Sequence, residues 1–404
     1  MRMMNNIMNK NSKPDTVALL FNIVFWRILP TKIAFCFWGD RAESIVTAAI
    51  VILCFVIYAL IIIENHFKLI VNKGFWIPII GIIVFSVSSL LTPNDYLNEY
   101  FVYYFRYIVG PLIFLLAVKN YQYLLQVFCV FGCITFIFLG LQPLLASDVF
   151  LGNYMEYGFW VSLPAAIIFY TLRRQSQKKY IFCFEAITFF MLLVYSNRSS
   201  VLCFLIYVFM YNLIIEKASN KKLGFIALCI ILAFVVAIKL DSILQLLLNI
   251  ANNLNYNSHS LNKLNLYING GTIAVFSSGR DVIYQRAIEM IKQNFPFGNG
   301  VGTFDTFNGV YSHNIFLDMM LYWGLFGEVV FLCLFVKIIL SILTEKNTDV
   351  RIFKLIMFCL WFPKLVFSST FTYDTAFWIS LTLSFIPINK YCIIEENRIK
   401  QRGL

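Results

Sequence analysis

A histidine followed by an amide stands where a long polar loop gives way to an apolar helix. The run is Tyr311-Ser312-His313-Asn314, then nine mostly apolar residues, then Gly324-Leu325-Phe326-Gly327. Small residues at that spacing would by themselves mean only close helix packing. Imidazole titrates near neutral pH. At a water–membrane boundary it can take a proton or orient a hydroxyl. Its plainer role would be an interfacial hydrogen bond. Cations nearby would lower its pKa and keep it neutral. Asp318, Glu328 and Asp374 are candidate partners, and no spacing selects one of them. His66 and His259 fall in polar loops and read as solvated.

Three arginines are expected to converge on the same side. Arg198 lies in Ser196-Asn197-Arg198-Ser199-Ser200, between two apolar runs. Arg280 opens a loop helix that Ser278 would cap, with Asp281 in its first turn. Arg106 lies within an apolar run, ~12 Å below its outer end at a rise of about 1.5 Å per residue. An ionisable group at that depth is a functional-site hypothesis. A structural ion pair with Glu185 or Glu156 is the alternative for Arg106. For Arg198 the alternative is an interfacial anchor, and for Arg280 a solvated helix residue. Arg286 points roughly 120° away from Arg280 around the helix, so Arg280 is favoured. Guanidinium groups bind phosphate through paired N–H donors. The chain has no Gly-Lys-Ser/Thr phosphate loop and no dinucleotide fingerprint, so the energy for chemistry must reside in the substrate. No Asp-x-Asp pair or His/Glu cluster points to a metal, and no cofactor is expected.

These groups need elements to hold them, and composition says which. The 404 residues are 60% hydrophobic, 18% aromatic and only 13% charged. Mean hydropathy is +0.76. A soluble domain carries about 25% charged residues, so the chain reads as an all-α integral membrane protein. The net charge of +11 raises the question of nucleic acid. The excess sits in short loops, as membrane orientation requires, so no nucleic-acid partner is expected. The ten cysteines lie in or beside apolar stretches and form no disulfide framework. The N-terminal apolar run lacks a small-residue cleavage site and does not read as a cleaved signal.

Spanning helices need about 20 apolar residues. Twelve candidates fall at 17–37, 44–64, 74–92, 99–118, 121–142, 157–172, 180–196, 200–215, 223–239, 315–343, 352–369 and 372–389. The first is interrupted by Arg27, Pro30 and Lys32, and the tenth should bend near Gly324. Lys and Arg alternate between the loops so that both termini are expected in the cytoplasm. The chain then divides into nine helices over 1–239, an external loop with short helices over 240–314, and three helices with a cytoplasmic tail over 315–404. Within the loop, Asp241–Leu254 has helical apolar spacing and is expected to lie on the membrane surface. Leu264–Phe276, broken by Asn269-Gly270-Gly271, reads as a short hairpin.

Taken together, three stretches resemble the O-antigen polymerase/ligase superfamily of bacterial envelope proteins. Arg198-Ser199-Ser200-Val201-Leu202 is similar to its Arg-x-x-x-Leu element. Ser278-Gly279-Arg280, the following helix and Pro296-Phe297-Gly298-Asn299-Gly300-Val301-Gly302 look like its loop signature. His313-Asn314-x9-Gly324-x-x-Gly327 is similar to its His-Asn-x9-Gly-x-x-Gly element. The aromatic after the loop arginine is often Trp, and here Tyr284 stands nearest. The resemblance implies a GT-C-like, metal-independent, inverting glycosyltransferase of the bacterial inner membrane. Its donor would be a glycan on undecaprenyl diphosphate, with a chain-length regulator as a further partner. His313 and Arg280 would be catalytic, and Arg198, Arg106, Asn314 and Tyr284 would bind substrate. A polymerase, which elongates one lipid-linked repeat unit with another, is favoured over a ligase that delivers glycan to lipid A-core. A lipid-linked oligosaccharide flippase or ion-coupled transporter is the reading from another class.

Overall fold

The computed structural model describes residues 14–64, 73–145, 153–176, 178–216, 239–253, 258–269 and 279–386. Among them every regular element is helical. Long apolar segments must pair their backbone groups internally, and a helix does so by itself.

Helix α1 (Thr16–Phe25) starts under Asp15, whose Oδ1 accepts from Val17 N–H at 3.0 Å. It breaks at Trp26-Arg27 and resumes as α2 (Ile28–Trp38), bent by 51°. Pro30 suits the first turn of α2. In a continuous helix its ring would strike the carbonyl four residues back. Next come α3 (Asp40–Glu64), α4 (Trp76–Leu91), α5 (Asp95–Ala117), α6 (Tyr121–Leu144), α7 (154–176), α8 (Lys179–Tyr195) and α9 (Arg198–Ile214). Three of these carry a wide π turn: Tyr104–Ile108 in α5, Phe136–Gly140 in α6 and Gly158–Ser162 in α7. Such single turns recur at functional sites.

The expected loop segment folds as α10 (Leu240–Asn253), α11 (His259–Ile268), α12 (Arg280–Asn294) and α13 (Thr303–Asn308). Helix α10 matches the apolar spacing read over 241–254. The hairpin expected from Leu264 is corrected: residues up to Ile268 belong to α11. Asn269 ends that helix instead of turning a ribbon, its N–H donating to Asn265 O at 3.1 Å. Residues 270–276, Ser278, His66, Cys229, Cys392 and the basic termini lie outside the described residues. So does the ninth expected span, apart from Lys239.

The chain closes with α14 (Ile315–Leu343), α15 (Thr348–Phe367) and α16 (Thr375–Phe385). Helix α15 packs against α6, α7, α9, α14 and α16. Its run from Val350 to Trp361 is buried almost throughout except at Arg351. A helix apolar on all sides is one that sits inside.

Among the described residues four helices are long and apolar enough to cross a membrane: Lys73–Leu91, Asp95–Ala117, Tyr121–Leu144 and Ile315–Leu343. The bent α1–α2 pair makes a fifth. Helices α9 and α16 are apolar but shorter. The chain is thus a membrane-embedded helical protein. The described residues give four or five spans on these criteria where twelve were expected. Charge is one reason, since α15 holds Asp349, Arg351, Lys354 and Lys364.

The turns sort to two ends. One end joins Asp15 to the N–H groups of Lys119 and Asn120, Arg174 to Asn212 and Glu216, and Lys354 to Glu345. The other joins Asn94 to Val301 O at 2.9 Å, Tyr373 to Glu99 at 2.7 Å, and the Ser199 and Ser368 hydroxyls. The segment between α10 and α14 covers this second end.

Candidate active site

Helix α14 is interrupted at Gly324, whose φ is 65°. An interruption strips carbonyls of their helical donors, and these must be re-paired. The glycine turn after α12 supplies the donors. Asn299 N–H reaches Leu321 O at 2.6 Å, and Gly300 N–H reaches Tyr322 O at 3.1 Å. In return Leu325 N–H donates to Pro296 O at 2.9 Å. The two glycine motifs read separately along the chain are thus one docked unit.

Beyond the turn, α13 fixes the approach to His313. Asp305 is buried, and its Oδ2 accepts from Tyr100 at 2.9 Å and Tyr322 at 2.7 Å. Burial raises the Asp305 pKa, and the two tyrosine bonds oppose that rise. Ser312 Oγ donates to Asp318 Oδ1 at 2.6 Å. Asn314 caps α14 by accepting from Phe316 N–H at 2.9 Å and Leu317 N–H at 3.3 Å.

Between these anchors His313 is held at φ 60°, in the left-handed region. A non-glycine residue there costs about 1 kcal/mol, and such strain collects at functional sites. The His313 Nδ1 lies 3.3 Å from Ser368 O. A carbonyl only accepts, so Nδ1 carries the hydrogen and Nε2 keeps its lone pair. Burial, with Arg280 adding to it, lowers the imidazole pKa to about 4, and the Ser368 contact partly opposes the shift. The ring therefore stays neutral at physiological pH.

Two of the three expected partners of His313 are otherwise engaged, and Glu328 lies within α14 with its Oε2 buried and without a hydrogen-bond partner among the described residues. Asp318 binds Ser312. Asp374 forms a buried pair with Lys364 at 2.7 Å and caps α16 through Phe377 N–H. That pair pins the segment carrying Ser368, so it positions His313 indirectly.

Arg280 opens α12 after Gly279, itself at φ 80°. It lies within electrostatic reach of His313, Arg198, Tyr284 and Lys263. Arg198 is the first residue of α9, above a cap made by Asn197. Lys263 sits in α11, which is tied over the end of α8 by Ser258 Oγ donating to Val194 O at 2.9 Å. Burial, then Arg198 and Arg280, lowers the Lys263 pKa. Three cations so gathered repel one another, and a bound anion offsets that repulsion. Tyr284 hydrogen-bonds to the Asn314 side chain. The Asn314 oxygen already accepts the cap bonds, so its amide donates here.

Four expected site residues, His313, Arg280, Tyr284 and Asn314, thus come together with Arg198. Arg286 turns aside to Asn308 at 2.9 Å. Arg106 is placed elsewhere, in a cleft with Arg27. Its alternative as a structural pair is removed, because Glu185 is bound by Arg173 and Glu156 by Lys32. Lys263 and Ser368 were not singled out in the sequence. Lys263 had one available signal, a cation in the polar loop. Ser368 acts through its carbonyl, which no side-chain motif records.

Comparison with family models, with curated proteins and with solved structures finds no match to this chain.

Proposed function

We propose that the protein is a glycosyltransferase that joins lipid-linked oligosaccharide repeat units, an O-antigen-type polymerase. One observation carries the reading. A neutral histidine with its Nε2 lone pair uncommitted to Ser368 stands beside a cluster of Arg280, Arg198 and Lys263. The cations suit the diphosphate of an undecaprenyl-linked donor, and the histidine suits an acceptor hydroxyl. In the step, the hydroxyl oxygen bonds to the donor's anomeric carbon as the bond from that carbon to the diphosphate oxygen breaks. The electron pair leaves with the lipid diphosphate, whose charge the arginines offset. The hydroxyl proton passes to His313 Nε2 and then to water. Attack from the face opposite the leaving group inverts the centre.

On this reading the protein is a GT-C-like enzyme with twelve crossings in a bacterial inner membrane. Both termini are cytoplasmic, and residues 240–314 are external. Its other partners are membrane lipid and a chain-length regulator. No cofactor enters the step.

A surface-glycan ladder from cells lacking the native protein tests the reading. Loss of polymerase leaves single repeat units on lipid A-core. Bare core with undecaprenyl-linked polymer would instead assign ligase, which uses the same donor chemistry. An unchanged ladder would remove both.

A further inference from the structure

Arg27 and Arg106 share a cleft that the His313 centre does not use. It lies between the α1–α2 bend, α3 and α5, is a narrow, partly open cleft, and has Thr47, Cys54 and Tyr107 among its lining residues. Arg27 stands at the bend itself. Its guanidinium stacks 4.3 Å from the Tyr107 ring centroid and 5.4 Å from that of Trp160. Its Nη2 donates to Tyr103 at 3.4 Å, while Nη1 is buried with no hydrogen-bond partner among the described residues. Arg106 is exposed and faces the Tyr107 ring at 5.8 Å. Among the described residues neither arginine has an ion pair. Glu43 and Glu156 are both held by Lys32, at 3.2 and 3.3 Å.

Two guanidinium groups on one cleft without a carboxylate, one half-buried and one exposed, repel each other, and a bound anion offsets that repulsion.

We infer that the Arg27–Arg106 cleft binds the phosphate head of a membrane lipid. Phosphate matches the paired donors of guanidinium, and the apolar walls of α3 suit an acyl or prenyl chain. Resting on the polymerase reading, the occupant is the diphosphate of the acceptor repeat unit. A polymerase holds two lipid diphosphates at once, and the cluster around Arg280 accounts for one. A row of half-buried tyrosines leads from the cleft toward His313. Tyr107 meets Tyr103 at 4.7 Å, Tyr103 meets Tyr373 at 4.8 Å, Tyr373 faces Tyr311 at 6.4 Å, and Tyr311 meets His313 at 4.4 Å, all between ring centroids. Aromatic faces of this kind accept the apolar faces of sugars. A short glycan anchored at Arg27 can therefore present its far hydroxyl to Nε2.

Native mass spectrometry of the purified full-length protein tests this with three probes: undecaprenyl diphosphate, phosphatidylglycerol and inorganic phosphate. Two undecaprenyl diphosphates should bind the wild type. R27Q/R106Q should lose one and bind it about tenfold or more weakly, the loss expected for charge-assisted bonds. R198Q/R280Q should lose the other. R106Q alone changes an exposed residue, so it gives a folded protein in which the same site is weakened.

Undiminished binding of all three probes by R106Q and R27Q/R106Q overturns the site. Selective loss of phosphatidylglycerol keeps the lipid-phosphate site and overturns the acceptor assignment. Loss of inorganic phosphate alone overturns a lipid ligand. Undiminished undecaprenyl diphosphate binding in R198Q/R280Q, with loss in R27Q/R106Q, counts against the polymerase reading and leaves this site standing.

Discussion

Gly298 and Gly324 cross backbone to backbone at a separation that no side chain tolerates. A Cβ on Gly324 would fall 2.2 Å from Pro296 O, and one on Gly298 would fall 2.4 Å from Tyr322 O. Both clashes are with main chain, which cannot rotate away. Gly324→Ala should therefore cost more than about 3 kcal/mol. Gly309→Ala is the control: it has φ 77° but open space around it, so only about 1 kcal/mol is at stake. Thermal unfolding in detergent measures the difference. Equal losses for the two variants would mean the docked turn is not what Gly324 serves.

Arg280 and Arg286 separate recognition from solvation. Arg280→Ala should abolish long glycan, and Arg280→Lys should keep partial activity, because charge remains and the two-pronged geometry goes. Arg286→Ala loses a bond to Asn308 on the surface and should be nearly silent. A full-length ladder from Arg280→Ala at normal protein level would refute the phosphate role.

Lys263 should act as a supporting cation. Lys263→Gln is expected to weaken undecaprenyl diphosphate binding by up to about fivefold, the range of partly exposed charge pairs. High salt should shrink the effect. Binding titrations at two ionic strengths read it, with R286Q as the comparison. Identical affinities in both salts would place Lys263 outside the site.

For His313, general-base help is typically worth about 10²–10⁴-fold, so His313→Ala should lose polymerisation while still binding donor. Gln keeps a hydrogen bond but cannot take a proton. Near-normal activity in His313→Gln would leave orientation as the role. The folded pKa, about 4, lies below the ordinary 6.5. As pH falls from 6.5 toward 4 the unfolded imidazole takes a proton and the folded one does not, so stability declines through that window. Above pH 6.5 both are neutral and the term vanishes. Melting curves of His313→Gln should lack this component. For the free enzyme, the acid limb of kcat/KM should fall below pH 6.5.

Orientation is tested by reporter fusions after Lys179 and after Asn257. Phosphatase activity at the second site alone is expected. Activity at the first alone would invert the protein and remove the site from its substrate.

Much of the helical plan was readable because apolar length and charge spacing are local properties. Helix α14 runs from Ile315 to Leu343, at the bounds expected, with its break at Gly324. The gathering of Arg198, Arg280 and His313 was suggested only by type and by likeness of motif. Their meeting depends on α11 and α12 folding back over the bundle. Arg106 was assigned by helix depth, yet it lies inside the π turn at 104–108, where side chains leave the 3.6-residue spacing that such reasoning assumes. Arg27 looked like a flaw in a span. It marks the bend, and a bend is set by what packs around it.

The π turns also determine where this chain tolerates changes of length. A π turn is an α-helix holding one surplus residue. Deleting a residue elsewhere in α5 turns everything beyond it by about 100° and misaligns the whole contact face. Deleting one within 104–108 lets the turn relax to ordinary spacing while both flanks stay in register. Arg106 and Tyr107 occupy that surplus turn. The α5 side of the cleft is thus carried on the one stretch of α5 that can lose a residue without rebuilding the bundle. The cleft can be remodelled by a one-codon deletion that leaves the His313 centre in place.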